Sequence, residues 1–199
     1  MRTYLFLLAA AALLNASDPR AKVTDYPAHA ESTGVAIGAE YLVHSYGDGH
    51  QMLTAPDFLV VDTAVYPKGA PVTIHESDFL LRITPQKGDP FLVQAQAPQF
   101  VGLGGAFQGL GAGGATQPRA PGDPGVHQPP IPQGTPNAAG EIEPESPSQV
   151  AVRTALPEGE TRSGQAGFLF FPYSGKTKKL KGIDLIYKSA GGEVVVKLF

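Results

Sequence analysis

The sequence contains no cysteine. Disulfide bonds, thiolate metal ligands, a cysteine nucleophile and lipid attachment through an N-terminal cysteine are therefore all excluded. Tryptophan is absent as well, and only 17% of the residues are charged, with a formal net charge of -3. Because no basic surplus is available to neutralise phosphates, we expect no nucleic-acid partner. The fold must be stabilised by a hydrophobic core alone.

Long hydrophobic runs are also missing, apart from one at the start of the chain. Residues 4–14 (YLFLLAAAALL) follow the short basic start Met1-Arg2-Thr3 and lead into the polar boundary at Asn15-Ala16. A helix that spans a membrane needs about 20 apolar residues, and no run of this chain reaches that length. The pattern is that of a secretory signal peptide. We therefore expect residues 1–16 to be a signal peptide, the mature chain to be exported (periplasmic or extracellular), and no membrane span.

Glycine and proline are abundant, but they are concentrated in one segment. Residues 102–147 hold 11 of the 24 glycines and 9 of the 19 prolines. Large apolar side chains are few there, so their burial cannot offset a backbone ordering cost of roughly 1–2 kcal/mol per residue. We predict that 102–147 is a disordered insertion. It divides one domain into two halves, residues 17–101 and 148–199.

The rest of the sequence predicts short β-strands. Apolar residues at every second position from Val35 to Val43 indicate one half-buried strand. Residues 58–66 and 167–171 are apolar at most positions on both faces, as the inner strands of a sheet are. Further strands are predicted at 72–75, 79–83, 91–94, 183–187 and 194–199, and one short helix is predicted from Ser146 or Ser148 to Leu156. About seven or eight strands with little helix predict an all-β fold, an antiparallel sandwich.

Two parts of the sequence carry a resemblance to known proteins. FLVVDTAVYPKGAPVTIHESDFLLRI (residues 58–83) joins a long hydrophobic strand to a turn and to a Phe that opens the next strand. GFLFFPYSGKTKKLKGIDLIY (residues 167–187), followed by EVVVKLF (residues 193–199), is a late strand with a closing hairpin. In these features the chain resembles a broad group of uncharacterised bacterial extracytoplasmic immunoglobulin-like domains. The resemblance implies an immunoglobulin-like sandwich and little about activity, since such folds carry many functions.

The segment HSYGDGH contains the candidate metal ligands of this sequence. If the loop folds back on itself, His44, Asp48 and His50 supply two nitrogens and one oxygen to a first-row metal. The spacing matches no standard zinc motif, and the two glycines are typical of a turn. The sequence therefore favours a turn, with a metal site as the alternative.

Four lysines form the one basic cluster: Lys176, Lys178, Lys179 and Lys181. One interpretation is a solvated turn whose lysines discourage pairing at a sheet edge. The other is a surface that binds an acidic envelope polymer or anionic lipid head groups. Tyr173 precedes the cluster; we expect it to be the most exposed of the neighbouring aromatic residues, and it is a candidate binding residue beside the four lysines. Strand alternation places Phe168, Phe170 and Phe171 in the core.

No group of residues predicts catalysis. The chain lacks a G-x-S-x-G nucleophile elbow, and its G-x-G-x-x-G at Gly109–Gly114 has neither the preceding strand nor the following helix that a dinucleotide site needs. We therefore expect no enzyme activity and no cofactor. The leading hypothesis is a non-catalytic exported binding or envelope-associated module whose partner is a protein or a cell-envelope polymer. The alternatives are a structural spacer or assembly subunit acting through the insertion and the C-terminal strand, and a metal-dependent hydrolase built on the candidate metal ligands.

Overall fold

The computed structural model describes residues 18–102, 145–189 and 192–199. The predicted signal peptide and residues 103–144 of the predicted insertion lie outside the described residues. In chain order the strands are β1 (Ala28–Glu31), β2 (Val35–Val43), β3 (Ser45–Gly47), β4 (Met52–Thr54), β5 (Phe58–Pro67), β6 (Val72–Ile74), β7 (Phe79–Pro85), β8 (Phe91–Gln94), β9 (Gly159–Thr161), β10 (Gln165–Pro172), β11 (Leu180–Ser189) and β12 (Gly192–Lys197). The one α-helix in these ranges is α1 (Pro147–Thr154), and single 3-10 turns lie at Val23–Asp25, Glu76–Asp78, Pro98–Phe100 and Thr177–Lys179.

Eight of the strands form two four-stranded antiparallel sheets. The first sheet has the order β1-β2-β5-β10, and the second has the order β12-β11-β7-β8. Two short pairs, β3 with β4 and β6 with β9, stand outside these sheets. Because β5 lies between β2 and β10, and β11 between β12 and β7, the order matches strands A-B-E and G-F-C of an immunoglobulin-like sandwich.

The two sheets enclose one core between their inner faces. Val35, Ile37 and Ala39 of β2 are buried there, as the alternation in the sequence predicts. Phe79 and Tyr187 lie directly opposite each other in β7 and β11, with ring centroids 4.7 Å apart. Both are fully buried. The remaining inner positions of the long strands are filled by Leu59, Val61, Val65, Leu81, Ile83, Leu169, Phe171, Ile183, Leu185, Val194 and Val196.

The outer face of the first sheet is buried as well. The N-terminal segment covers one part of it through Tyr26, which packs with Ala64 and Ala166. The β3–β4 hairpin and α1 cover another part, where Tyr46 and Val150 are fully buried. This third layer explains why β5 is apolar on both faces: its outer side chains also face a packed layer.

A β-bulge at the end of β2 turns the chain onto this outer face. The register between β2 and β5 shifts between Tyr41 and Val43, and Val43 has a φ of 65°. A β-branched residue in the left-handed region is strained by about 1–3 kcal/mol. His44 then anchors the hairpin, since its Nδ1 lies 2.6 Å from the carbonyl oxygen of Phe58. The bulge and this contact place the β3–β4 hairpin over β5.

The helix α1 begins where the sequence predicts it. The Ser146 Oγ accepts a hydrogen bond from the Gln149 N–H at 3.3 Å, and the Gln149 side chain accepts one from the Ser146 N–H at 2.8 Å. This reciprocal pair is a capping box, and Pro147 occupies the first helical position. The helix ends at Thr154, two residues before the predicted end at Leu156.

The prediction of an all-β, antiparallel sandwich with one short helix is confirmed. Each predicted strand is present, although β11 begins three residues earlier than predicted and β12 ends two residues sooner. The strands that the sequence did not reveal are β1, β3, β4 and β9. All four have three or four residues, too few for a periodic pattern to be recognised. In the described segments, no helix is long and apolar enough to cross a membrane.

Candidate binding sites

The four clustered lysines lie on the connection between β10 and β11. Lys178 and Lys179 belong to the 3-10 turn Thr177–Lys179, which Lys176 precedes, and Lys181 is the second residue of β11. All four lysines are exposed. None of them forms an ion pair with a carboxylate in the part of the chain that the structure describes. We call these four residues the lysine surface.

The lysine surface is held against the end of the second sheet. The backbone N–H of Gln86, just after β7, donates to the carbonyl oxygen of Lys179 at 2.8 Å. Its side-chain amide donates to the carbonyl oxygen of Lys178 at 3.1 Å. The turn backbone is therefore fixed, and the ammonium groups project from a rigid support. Lys87, the next residue, is also exposed.

Tyr173 lies at the start of the same connection and is half-buried. Its ring packs against the inner core, and its backbone N–H donates to the carbonyl oxygen of Asp57 at 2.8 Å. The Tyr173 hydroxyl folds back over Gly175, so closely that a Cβ at Gly175 would overlap it. Only part of the ring is thus available beside the lysine surface.

The three candidate metal ligands do not converge. His44 contacts the Phe58 carbonyl oxygen, as described above. Asp48 lies in the tip of the β3–β4 hairpin, where one carboxylate oxygen accepts from the N–H groups of His50 and Gln51 at 2.9 and 3.0 Å. Its other oxygen lies 2.7 Å from the Arg153 guanidinium, which, with the two backbone donors, holds the pKa of Asp48 far below its ordinary value. Across the described ranges no three His, Asp or Glu side chains form a group that could hold a metal ion. Within HSYGDGH, Ser45–Gly47 form strand β3, and Asp48 follows in the connection to β4.

Arg153 also determines how α1 and the end of the predicted insertion are arranged. Its guanidinium contacts Glu145 at 2.5 Å in addition to Asp48. The Tyr46 hydroxyl donates to the Pro147 carbonyl oxygen at 2.9 Å, so the hairpin and the start of α1 are joined at two points. Glu145 is therefore paired with α1 rather than with the lysine surface.

A cavity lies on the outer face of the first sheet, between the two covers. Its floor is a row of directly paired residues on three neighbouring strands: Glu40 of β2, Asp62 of β5 and Phe168 of β10. The row on one side, Gly38, Ala64 and Ala166, lies under Tyr26, and a Cβ at Gly38 would overlap that ring. On the other side the β3–β4 hairpin packs on Phe170. The floor row lies in the gap between them.

The walls of the cavity come from the hairpin and from the end of β2. Its volume is about 290 Å³, and it is partly enclosed. Gly47 allows the hairpin to close tightly, since a Cβ there would overlap the carbonyl oxygen of Gln51. The wall residues are Leu42, Tyr46, Gly47, Gly49, His50, Gln51 and Met52.

Three charged groups meet at the floor of this cavity. A nitrogen of the Arg20 guanidinium bonds directly to the Glu40 carboxylate, and the same nitrogen is 3.9 Å from the nearer oxygen of Asp62. The Arg20 guanidinium also lies 4.3 Å above the Tyr26 ring, a cation–π contact. The pKa of Asp62 is raised to about 6, mainly because the carboxyl is buried; Arg20 lowers this pKa and Glu40 raises it. Asp62 is therefore a buried and incompletely paired carboxylate.

The sequence reasoning did not identify Arg20, Glu40 or Asp62 as site residues. The available signal was Asp62, a charged residue in the middle of the otherwise apolar strand FLVVDTAVY.

No protein-family model, curated protein or solved structure matches this chain. The fold thus defines the class, an all-β sandwich, and function has to be inferred from the sites themselves.

Proposed function

We propose that this protein is an exported, non-catalytic binding module of the cell envelope, and that its lysine surface holds an acidic polymer. The same proposal takes the chain to be one of the bacterial extracytoplasmic immunoglobulin-like domains that its sequence resembles. The observation that carries it is the lysine surface itself: four exposed ammonium groups within six consecutive residues, without a carboxylate partner in the described part of the chain.

A polymer fits this surface better than a single small anion. An exposed ammonium ion binds one anionic group weakly, because water and salt screen the attraction. Several such contacts made together by one polyanion add up through high effective concentration. The turn is anchored through Gln86, so little backbone ordering opposes binding. The expected signature is strong dependence on ionic strength.

Replacing all four lysines of the lysine surface by alanine should release the protein from isolated cell envelopes and from an immobilised polyanion such as dextran sulfate. We expect at least a tenfold loss of affinity at low salt, since the charges that act together are removed. Affinity measured across a salt series checks this, and the wild-type protein should lose its advantage as salt rises.

A matched control removes the same charge elsewhere. Lys22, Arg162, Lys188 and Lys197 are exposed and form no ion pair with another described residue. A variant with alanine at these four positions should bind within about twofold of wild type if position matters rather than net charge. Equal losses in the two variants would show that the protein has no specific polyanion surface.

A spacer or assembly subunit is the second candidate, and the ends of the predicted insertion bear on it. A Cβ at Gly102 would lie 3.3 Å from the Cβ of Pro147, so the chain leaves and re-enters at one place. Val101 and Val150, next to these ends, are buried in the same cluster. Residues 103–144 can therefore be replaced by a short linker without separating the covers of the first sheet.

Deleting residues 103–144 and joining the ends through a short glycine-serine linker should leave the fold intact. We expect a melting temperature within a few degrees of the full chain, because the loop-closure cost changes only slowly with length. Circular dichroism checks the fold, and binding to envelopes and recovery in cross-linked envelope complexes check the function. If polyanion binding and the cross-linked complexes are both unchanged, the result supports the binding module; if the complexes are lost while polyanion binding is intact, it supports the spacer.

A further inference from the structure

We propose that the cavity on the outer face of the first sheet binds a small organic cation, a primary amine on an apolar body, with the Asp62 carboxylate as its counter-ion. This site is separate from the lysine surface and shares no residue with it. The inference therefore holds or fails independently of the proposed function.

The charge balance of the floor favours a cation. Two carboxylates, Glu40 and Asp62, face one guanidinium, and the guanidinium is bonded to Glu40. Asp62 is only 9% exposed, and its positive partner, the Arg20 nitrogen, lies 3.9 Å away, beyond hydrogen-bond distance. A largely buried carboxylate whose positive partner lies at this distance is costly. An ammonium group in the cavity supplies a closer positive charge and hydrogen-bond donors, whereas an anion would be repelled by the two carboxylates.

The walls favour an apolar body attached to that ammonium group. The large apolar side chains among the lining residues are Leu42, Tyr46 and Met52 of the walls and Phe168 of the floor. The rings of Tyr46 and Phe168 pack edge to face, with centroids 6.5 Å apart, so that wall and floor form one continuous apolar surface. An apolar cavity of about 150 Å³ accommodates benzene. At about 290 Å³ this cavity accommodates one ring with a short amine-bearing chain.

A metal ion does not fit the same observations. A hard divalent cation needs about six oxygen ligands, and the floor offers one free carboxylate beside an arginine. The described residues hold no group of three metal-binding side chains here or elsewhere. The apolar walls would also contribute nothing to a bare ion, but they bury the body of an organic cation.

Titration of the purified protein with phenethylamine and with 2-phenylethanol tests the proposal, because these two probes have the same apolar body and differ in charge. We expect saturable binding of the amine and at least tenfold weaker binding of the alcohol at pH 7.5. Isothermal titration calorimetry gives the affinities, and a rise in melting temperature with amine concentration gives an independent measure. Absence of saturable amine binding, or equal affinities for both probes, would overturn the proposal.

Asp62→Asn should reduce amine affinity at least tenfold and leave alcohol affinity unchanged. Glu76→Gln is the matched control. Glu76 is also a partly buried carboxyl with a raised pKa, beside Glu158 and not among the cavity residues. Amine binding should be the same in this control as in wild type. An Asp62→Asn protein that folds normally and still binds the amine with wild-type affinity would remove Asp62 from the site.

The pH dependence gives a second readout on the unmodified protein. The charged and titratable groups that face Asp62 are Arg20, Glu40, Tyr26 and Tyr66, and His50 lies in the cavity wall. Amine affinity should fall as the pH drops below about 6, where Asp62 becomes protonated. The fall should persist in His50→Gln, which changes a wall residue, and disappear in Asp62→Asn; the opposite pattern would assign the effect to His50 and contradict the proposal.

Discussion

Replacing Phe170 by alanine should lower the free energy of unfolding by about 3–5 kcal/mol, the usual cost of removing a fully buried aromatic side chain. Phe170 is 0% exposed and lies on the outer face of the first sheet. Its ring meets Tyr46 and Phe58 edge to face, with centroids 5.4 and 6.3 Å away. The hairpin that carries Tyr46 would lose its main support. Denaturant unfolding measures the change.

Phe91→Ala is the control for this prediction. Phe91 is 44% exposed on the edge strand β8. Surface substitutions of this kind usually change stability by about 0.5 kcal/mol or less. If Phe170→Ala cost no more than Phe91→Ala, the β3–β4 hairpin and α1 would not pack on the first sheet as described. Faster proteolysis within residues 44–55 of Phe170→Ala should accompany the loss, because the hairpin is attached chiefly through this cluster.

Replacing Asp62 by asparagine should raise the stability of the protein at pH 8, by at most about 3 kcal/mol. Burial is the main reason that the pKa of Asp62 rises to about 6, well above the ordinary value of 3.8. Ionised Asp62 is therefore less favourable in the folded protein than in the unfolded chain. Asparagine keeps the shape and removes the charge. Arg20 keeps its direct bond to Glu40.

The sign of the pH dependence follows from the direction of this shift. A carboxyl whose pKa is higher in the folded state holds its proton more tightly there, so its contribution is most favourable below the ordinary pKa. That contribution is lost as the pH rises from about 4 through about 6. Glu76, whose pKa burial and Glu158 raise to about 7, acts in the same direction.

Thermal or denaturant unfolding from pH 4 to pH 8 checks this prediction. The free energy of unfolding of the wild-type protein should decrease from pH 4 to pH 8 because Asp62 and Glu76 ionise. This decrease should be smaller in Asp62→Asn. Glu76→Gln should remove a separate part of it, because the two carboxyls do not contact each other. Asp62→Asn that is less stable than wild type at pH 8 would show that the pair with Arg20 is stabilising and that Asp62 is a structural residue. Higher stability with weaker amine binding would instead mark a residue retained for binding.

The long strands and the inner core could be predicted from the sequence. Alternation at Val35, Ile37 and Ala39 placed these side chains on one face of β2, and the structure buries all three. Period-two patterns are local, and they report burial wherever one face of a strand is packed. The capping residue Ser146 was likewise readable, because a capping box is formed by residues three positions apart.

The position of the lysine surface followed from the sequence only in part. The four lysines are adjacent in the chain, so any fold would keep them close together. Their lack of a carboxylate partner among the described residues depended on where the acidic residues fold, and Glu145 pairs with Arg153 instead. Tyr173 is the most exposed of the neighbouring aromatic residues, as predicted, but it is half-buried because its ring packs against the core.

The sequence by itself determined that the fold is rich in β-strands, where the long strands lie in the chain, and that cysteine chemistry is absent. Only the tertiary structure decided that the first sheet carries a second covered face and that Arg20, Glu40 and Asp62 meet there. The physical reason is distance along the chain. Arg20 and Asp62 are 42 residues apart, and they meet because the strand register pairs Glu40 with Asp62 and because Tyr26, beneath the Arg20 guanidinium, packs on Gly38. No local pattern encodes such a meeting, because each partner is placed by a different long-range contact.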